Sequence, residues 1–256
     1  MEEIAYAKVN LELRVRGLRR DGYHEIDTLF AFAEDGDRLS VAQGEGLSLR
    51  VTGDFAGRLN DPEDNLVLRA ARLLGGEGRG AALTLDKRLP VAAGIGGGSA
   101  DAAAALRLLD RWWDLGLGQA ELLALAGRLG ADVPACLRSQ TVRGTSRGDR
   151  LEPARTPHSG KPLLLVNPGV PVATADVFRR WRGLESDGND LEPPAREIAP
   201  EIGEVLEALR AADGAGFVGM SGSGATCFAI FDSEAGRDSA ERGLPRRWWR
   251  LSSRLR

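Results

Sequence analysis

The chain has 256 residues, 43% hydrophobic and 28% charged, with a net charge of −3 and a pI of about 5.6. That composition belongs to a globular protein long enough for one large domain or two modest ones. It excludes a disordered chain and the strong basic excess of a nucleic-acid binder.

No stretch of about 18 apolar residues marks a membrane span. The acidic start, Met1-Glu2-Glu3-Ile4, lacks the pattern of a signal peptide, so a cytoplasmic protein is expected. Cys136 and Cys227 are far apart and lack metal-ligand spacing; buried free thiols in a reducing compartment are expected. Lys8, Lys87 and Lys161 are the only lysines, which leaves few amines for chemistry.

In chain order, residues 8–15 alternate strictly. Val9, Leu11, Leu13 and Val15 face a core, and Lys8 and Asn10 share the opposite face of a half-buried strand. A turn is expected at Arg19–Gly22, then strands at 25–32, 38–42 and 47–51. Asp61-Pro62-Glu63-Asp64 opens a helix through Val67, Ala70, Ala71 and Leu74, which Gly75-Gly76 closes. A strand follows at 81–85. After a glycine-rich stretch, Ala102, Ala105, Leu106, Leu109 and Trp113 recur at helical spacing. A further helix spans Gln119–Leu129.

Residues 139–161 lack periodicity, so a loop and a domain boundary near 150 are expected there, giving domains 1–150 and 151–256. Leu163–Val166 reads as a buried strand. One helix is expected from Pro193-Pro194 through Leu209 to about Gly214. Strands at 217–220 and 226–231 flank Ser221-Gly222-Ser223-Gly224, and Arg246–Arg256 reads as a solvated end. Strands and helices mix without a regular βαβ rhythm, which favours an α+β fold.

The strongest chemical signal is Pro90-Val91-Ala92-Ala93-Gly94-Ile95-Gly96-Gly97-Gly98-Ser99-Ala100. Glycines let backbone N–H groups approach an anion, and a helix start adds unpaired donors and the positive end of its dipole. Together they suit a polyphosphate. There is no Gly-Lys-Ser/Thr ending and no dinucleotide-type βαβ unit, so neither the P-loop nor the Rossmann motif applies. Ser99 can cap the helix or touch phosphate or Mg²⁺. Taken alone, the stretch also fits a flexible turn before an ordinary helix.

The segment Pro90–Ala100 resembles the phosphate loop of the GHMP kinases, which include galactokinase, homoserine kinase and mevalonate kinase. The family often carries a second Ser where this chain has Ala100. Met220–Ala225 is similar to the third motif of the family. The resemblance implies a two-domain GHMP kinase fold with its active-site cleft between the domains, ATP as co-substrate and Mg²⁺ as cofactor.

Ala5–Asn10 and Gly130-Ala131-Asp132-Val133-Pro134 are similar to the catalytic segments of the diphosphocytidyl-methylerythritol kinase branch. Read without the family, Lys8 is an edge lysine and Asp132 a helix cap. With it, Asp132 is expected to take the substrate hydroxyl proton and Lys8 to offset the charge that develops.

Asp21-Gly22-Tyr23-His24-Glu25 is similar to the branch's cytosine-holding segment, although alone it fits a hairpin turn with two exposed side chains. Asn10 and Thr174 are the further substrate contacts the resemblance implies, and Asn65 an ATP contact. Asn167–Thr174 and Asn189–Glu192 also match family segments. The expected activity is ATP-dependent phosphorylation of a cytidyl-linked methylerythritol in non-mevalonate isoprenoid precursor synthesis. The expected partner is a small-molecule substrate, with no nucleic acid, no membrane and no obligatory protein partner. The rivals are another GHMP enzyme and a nucleotide sensor that has lost catalysis.

Overall fold

The computed structural model describes residues 1–59, 64–75, 78–183 and 186–256. Asp61, Pro62 and Glu63 of the expected helix start, and Gly76 of its expected stop, lie outside those residues. The chain forms two compact units. One comprises residues 1–7, 35–91 and 96–139; the other comprises 8–34, 92–95 and 140–256. The expected boundary at 150 falls inside the second unit.

Strand β1 runs from Glu2 to Leu18 and pairs with β2, His24–Ala42. Val9, Leu11, Leu13 and Val15 are buried as the alternation predicts. Lys8 and Asn10 are buried too, at 4% and 2% exposure, so their face is not the solvated one expected. The two strands expected at 25–32 and 38–42 form one continuous strand. Gly36 lies within it, where a Cβ would be 1.8 Å from the Ala5 carbonyl oxygen. It is a glycine for close backbone approach within a strand.

In the first unit, β3 (Leu47–Thr52) is followed by a single 3₁₀ turn at Ala56–Arg58, then α1 (Leu66–Gly75) and β4 (Ala81–Asp86). β4 lies between parallel β3 and residues 38–42 of antiparallel β2. Helix α2, Gly97–Trp112, is buried without interruption from Ala100 to Leu106. A helix buried on all sides lies inside a core, and Asp101 is the one ionisable residue in that run. The helix's run of alanines lets α1, α3 (Gln119–Leu129) and α4 (Val133–Arg138) pack around it.

In the second unit, the expected loop at 139–161 contains a hairpin, β5 (Val142–Ser146) and β6 (Arg150–Pro153), with β5 also paired to residues 26–30 of β2. Its inward residues are Val142, Gly144 and Ser146. A Cβ on Gly144 would lie 2.6 Å from the Phe30 ring. The site that requires glycine hides the apolar alternation that marks a strand.

β7 (Pro162–Asn167) is buried at every position. Helices α5 (Thr174–Arg180), α6 (Glu192–Ile198) and α7 (Glu201–Arg210) follow. The single helix expected after Pro193 is therefore two. Ala199 precedes Pro200 and takes φ −133°, ψ 87°, as the proline ring demands, and the helix breaks there. β8 (Ala215–Met220), β9 (Cys227–Phe231), α8 (Glu234–Gly243) and β10 (Trp249–Arg254) complete the unit, in sheet order β10-β7-β9-β8. The expected solvated tail is thus a paired strand, with Leu255 fully buried beyond it.

The core of this unit joins Leu13 and Val15 to Leu164, Val166, Ile202, Leu206 and Phe231. Both cysteines are free and buried, and burial pushes the Cys227 thiol up. Among the described residues no helix is long and apolar enough to cross a membrane.

Candidate active site

The phosphate-loop stretch leaves the first unit after Val91 and re-enters it at Gly96. Between them, Ala93–Ile95 are fixed by the second unit. The Lys8 amide donates to the Ile95 carbonyl at 3.0 Å, and the Thr226 amide to that of Ala93 at 3.2 Å. The Ser221 hydroxyl donates to the Gly94 carbonyl at 2.9 Å and accepts from the Asn10 amide at 3.0 Å. Gly94 has φ +76°, and a Cβ on it would lie 2.4 Å from the Ser221 carbonyl oxygen. The two glycine motifs, more than a hundred residues apart, therefore touch backbone to backbone.

Where the stretch re-enters the first unit, Gly96 caps α2 with φ +63° and no side-chain bond. Ser99 is the third helical residue, so it does not serve as the cap. Its half-buried hydroxyl lies in the first turn, where α2 presents unpaired N–H groups. Val91, Ala92 and Gly98 are exposed, and Ala92 adopts φ +53°. Asn65 precedes α1 and accepts from the Val67 amide at 2.9 Å. Leu66, the next residue, lies 3.7 Å from where a Gly98 Cβ would sit, which brings the starts of α1 and α2 together.

Lys8 donates to Asn10 Oδ1 at 2.9 Å, and its ammonium lies 4.6 Å above the centre of the Phe30 ring. Asn10 Nδ2 in turn donates to the Thr28 hydroxyl at 2.8 Å. The expected Lys8–Asn10 pair is thus a direct hydrogen bond in a buried setting, where a charge interacts strongly. Asp132 occupies the cap position of α4 with Pro134 beside it, but its side chain makes no capping bond. The cap reading of this half-buried carboxylate is not realised.

Thr174 is exposed, and its hydroxyl shares a 2.9 Å hydrogen bond with Ser223 of the second glycine motif. Asn189 braces that motif by donating to the Met220 and Gly222 carbonyls at 2.7 and 2.8 Å. Tyr23 is 54% exposed, with the Arg147 guanidinium 5.0 Å from its ring centre. His24 stacks on Phe178 at 4.6 Å and meets Trp181 edge-on at 6.1 Å. Burial lowers the His24 pKa, which favours the neutral, hydrogen-bonding imidazole. Tyr23 and His24, adjacent in sequence, thus have different neighbours. Sequence reasoning missed Arg147, Phe178 and Trp181; the i, i+3 aromatic pair at 178 and 181 was the available signal.

Two family models match the chain: the GHMP kinases N terminal domain over residues 65–140 and the GHMP kinases C terminal over 176–250. A 4-diphosphocytidyl-2-C-methyl-D-erythritol kinase of Rhizorhabdus wittichii is 55% identical, with 99% of this chain and 94% of the relative covered. The chain belongs to the 4-diphosphocytidyl-2-C-methyl-D-erythritol kinase family of GHMP kinases.

A second member of that kinase family, from Novosphingobium aromaticivorans, is 47% identical over 100% of this chain and 93% of its own length. A crystal structure of 4-(cytidine 5'-diphospho)-2C-methyl-D-erythritol kinase superposes with a TM-score of 0.85 at 35% identity, covering 100% of this chain and 99% of that one. Homoserine kinase from Cytophaga hutchinsonii shares the fold, with a TM-score of 0.70 at 20% identity over 98% and 95% of the two chains. The GHMP kinase fold expected from the glycine motifs is the fold of the chain.

Proposed function

We propose that the chain transfers the γ-phosphoryl group of ATP to the 2-hydroxyl of 4-diphosphocytidyl-2-C-methyl-D-erythritol, a step in non-mevalonate isoprenoid precursor synthesis. The observation that carries this reading is the 55% identity, over nearly the whole length of both chains, to a kinase named for that substrate.

In this reading the backbone N–H groups between Pro90 and Ala100, with the first turn of α2, receive the polyphosphate, and Asn65 helps hold the nucleotide. Asp132 accepts the proton of the 2-hydroxyl as its oxygen attacks the γ-phosphorus, and ADP leaves. Lys8 offsets the charge on the attacking oxygen and the transferred group. Phosphoryl transfer depends mostly on such positioning and charge balance. Tyr23 and His24 take the cytosine by stacking and hydrogen bonding. Asn10 and Thr174 contact the rest of the substrate.

Mg²⁺ held with the nucleotide beside Ser99 would neutralise phosphate charge. The Ser99 hydroxyl is a suitable oxygen beside the loop, because Mg²⁺ keeps several waters and needs few protein ligands. A cytoplasmic enzyme with a small-molecule substrate and no obligatory protein partner goes with this reading.

The test is turnover of the cytidyl substrate, homoserine and galactose with ATP, by the unaltered chain and by Asp132→Asn. The unaltered chain should phosphorylate only the cytidyl compound. The variant should lose at least about a hundredfold in kcat while still binding ATP. Turnover of homoserine or galactose instead, or undiminished turnover by Asp132→Asn, would overturn the assignment.

A further inference from the structure

The least expected feature of the first unit is a cluster of three buried ionisable side chains that the proposed reaction does not use. Lys87, Asp37 and Asp101 are exposed by only 1%, 0% and 3%. The Lys87 ammonium donates to Asp101 Oδ2 at 2.8 Å and to Asp37 Oδ2. Asp37 Oδ1 accepts the backbone N–H groups of Arg88 at 2.5 Å and Leu89 at 2.8 Å. Burying charges costs several kcal/mol per ion before pairing offsets it, so such a cluster is weak evidence of a stability role.

Its position in the chain gives it another use. Leu89 is the residue before Pro90, where the phosphate loop begins. Asp101 is the residue after Ala100, where it ends. Gly97, the first residue of α2, lies directly over the ammonium: a Cβ there would be 3.0 Å from Lys87 Nζ. One cation is therefore bonded to the carboxylate that holds the loop's entry and to the carboxylate on the helix that forms its exit.

We propose that Lys87 is a positioning residue for ATP, its buried ammonium tying the entry of the phosphate loop to its exit through Asp37 and Asp101. The inference rests on the kinase reading of that loop. Fixing both ends removes loop entropy before the nucleotide arrives. It also sets the amide donors in advance, so they need not reorganise as phosphate charge moves.

Lys87→Met would strand two buried carboxylates and threaten folding, so the test acts on Asp101. Asp101→Leu breaks the link to the exit and leaves the Lys87–Asp37 pair charge-balanced. Asp101→Asn keeps an oxygen for the ammonium. Asp101→Leu should raise the KM for ATP by roughly tenfold or more. The KM for the cytidyl substrate should stay unchanged. Asp101→Asn should rescue the ATP KM to within about twofold of the unaltered chain. Leucine and asparagine variants with the same ATP KM, or equal changes in both KM values, would overturn the inference while leaving the kinase reading intact. Failure of the unaltered chain to use ATP would remove both.

Discussion

Tyr23 and Asp101 sit in opposite surroundings, one exposed and one buried. Tyr23 stands out from the turn between β1 and β2, with Arg147 against its ring. Arg147 is itself held by Asp149 at 2.7 Å, which raises its pKa and keeps it charged. A ring with one face on a cation offers its other face to a base, where stacking is worth about 1–3 kcal/mol. Tyr23→Ala should therefore raise the KM for the cytidyl substrate about tenfold and leave the KM for ATP within about twofold. Equal effects on both KM values would remove the stacking role.

Asp101 is buried, with Lys87 opposite it and Asp37 as a second carboxylate on the same ammonium. Burial above all pushes its pKa up to about 7, against the attraction of Lys87 and with the repulsion of Asp37. One ammonium serves two carboxylates, and Asp37 has two backbone donors besides. Asp101, whose Oδ1 has no partner, is then the carboxyl that keeps a proton. The folded state holds that proton where the unfolded chain has released it, so the contribution to stability is full below about pH 4 and is lost as pH rises to about 7. Denaturant unfolding at about pH 5 and about pH 8 should show Asp101→Asn gaining on the unaltered chain at the higher pH. Parallel pH dependence in the two proteins would place the proton elsewhere.

Tyr23 stood out through the family resemblance, but its Arg147 neighbour and the Asp101 cluster were not legible from residue types. Lys8 and Asn10 share a strand face by simple alternation, but polar residues on an alternating strand read as solvated, so their burial was hidden. Lys87 stood out only as one of three lysines.

At the scale of elements, the phosphate loop was the most legible part of the chain, because glycine clusters and a long helical pattern are local signals. Its contact with the Ser221–Gly224 motif was not, since nothing in either segment names its partner. That contact makes Gly94 the most constrained residue of the loop. A side chain there meets both a left-handed φ, which costs roughly 1–2 kcal/mol, and the carbonyls of Ser221 and Gly224 at 2.4 and 2.7 Å. Gly98 is the natural contrast: it lies inside α2, and a Cβ there would meet only Leu66 at an ordinary 3.7 Å. In denaturant unfolding, Gly94→Ala should cost more than about 2 kcal/mol. Gly98→Ala should be neutral or stabilising by about 0.5–1 kcal/mol. Equal costs at the two positions would mean that the loop yields to Ser221. The same physics explains the missed elements. β5 hides behind the glycine that Phe30 requires, and β10 behind Arg250 and Arg254, whose guanidinium groups donate to the Glu241 and Gly160 carbonyls.

The whole molecule was the least legible scale, because each compact unit is assembled from separated stretches of chain. The chain crosses between units at 7/8, 34/35, 91/92, 95/96 and 139/140. No local composition shift marks such crossings, whereas the irregular residues around 150 resemble a linker and are a hairpin. The second unit borrows Leu13 and Val15 of β1 for its core, and Asp190 accepts the Val15 amide at 2.9 Å. A fragment of residues 151–256 keeps the four-stranded sheet and its helices but loses that strand. Removing two buried aliphatic side chains exposes core at a cost of roughly 2–5 kcal/mol each, comparable to the whole stability of a small domain. The fragment should show no cooperative thermal transition by circular dichroism, while the full chain melts sharply. A sharp melt of the fragment alone would show that β1 is dispensable to this core, and a boundary near 150 would then describe an independent folding unit.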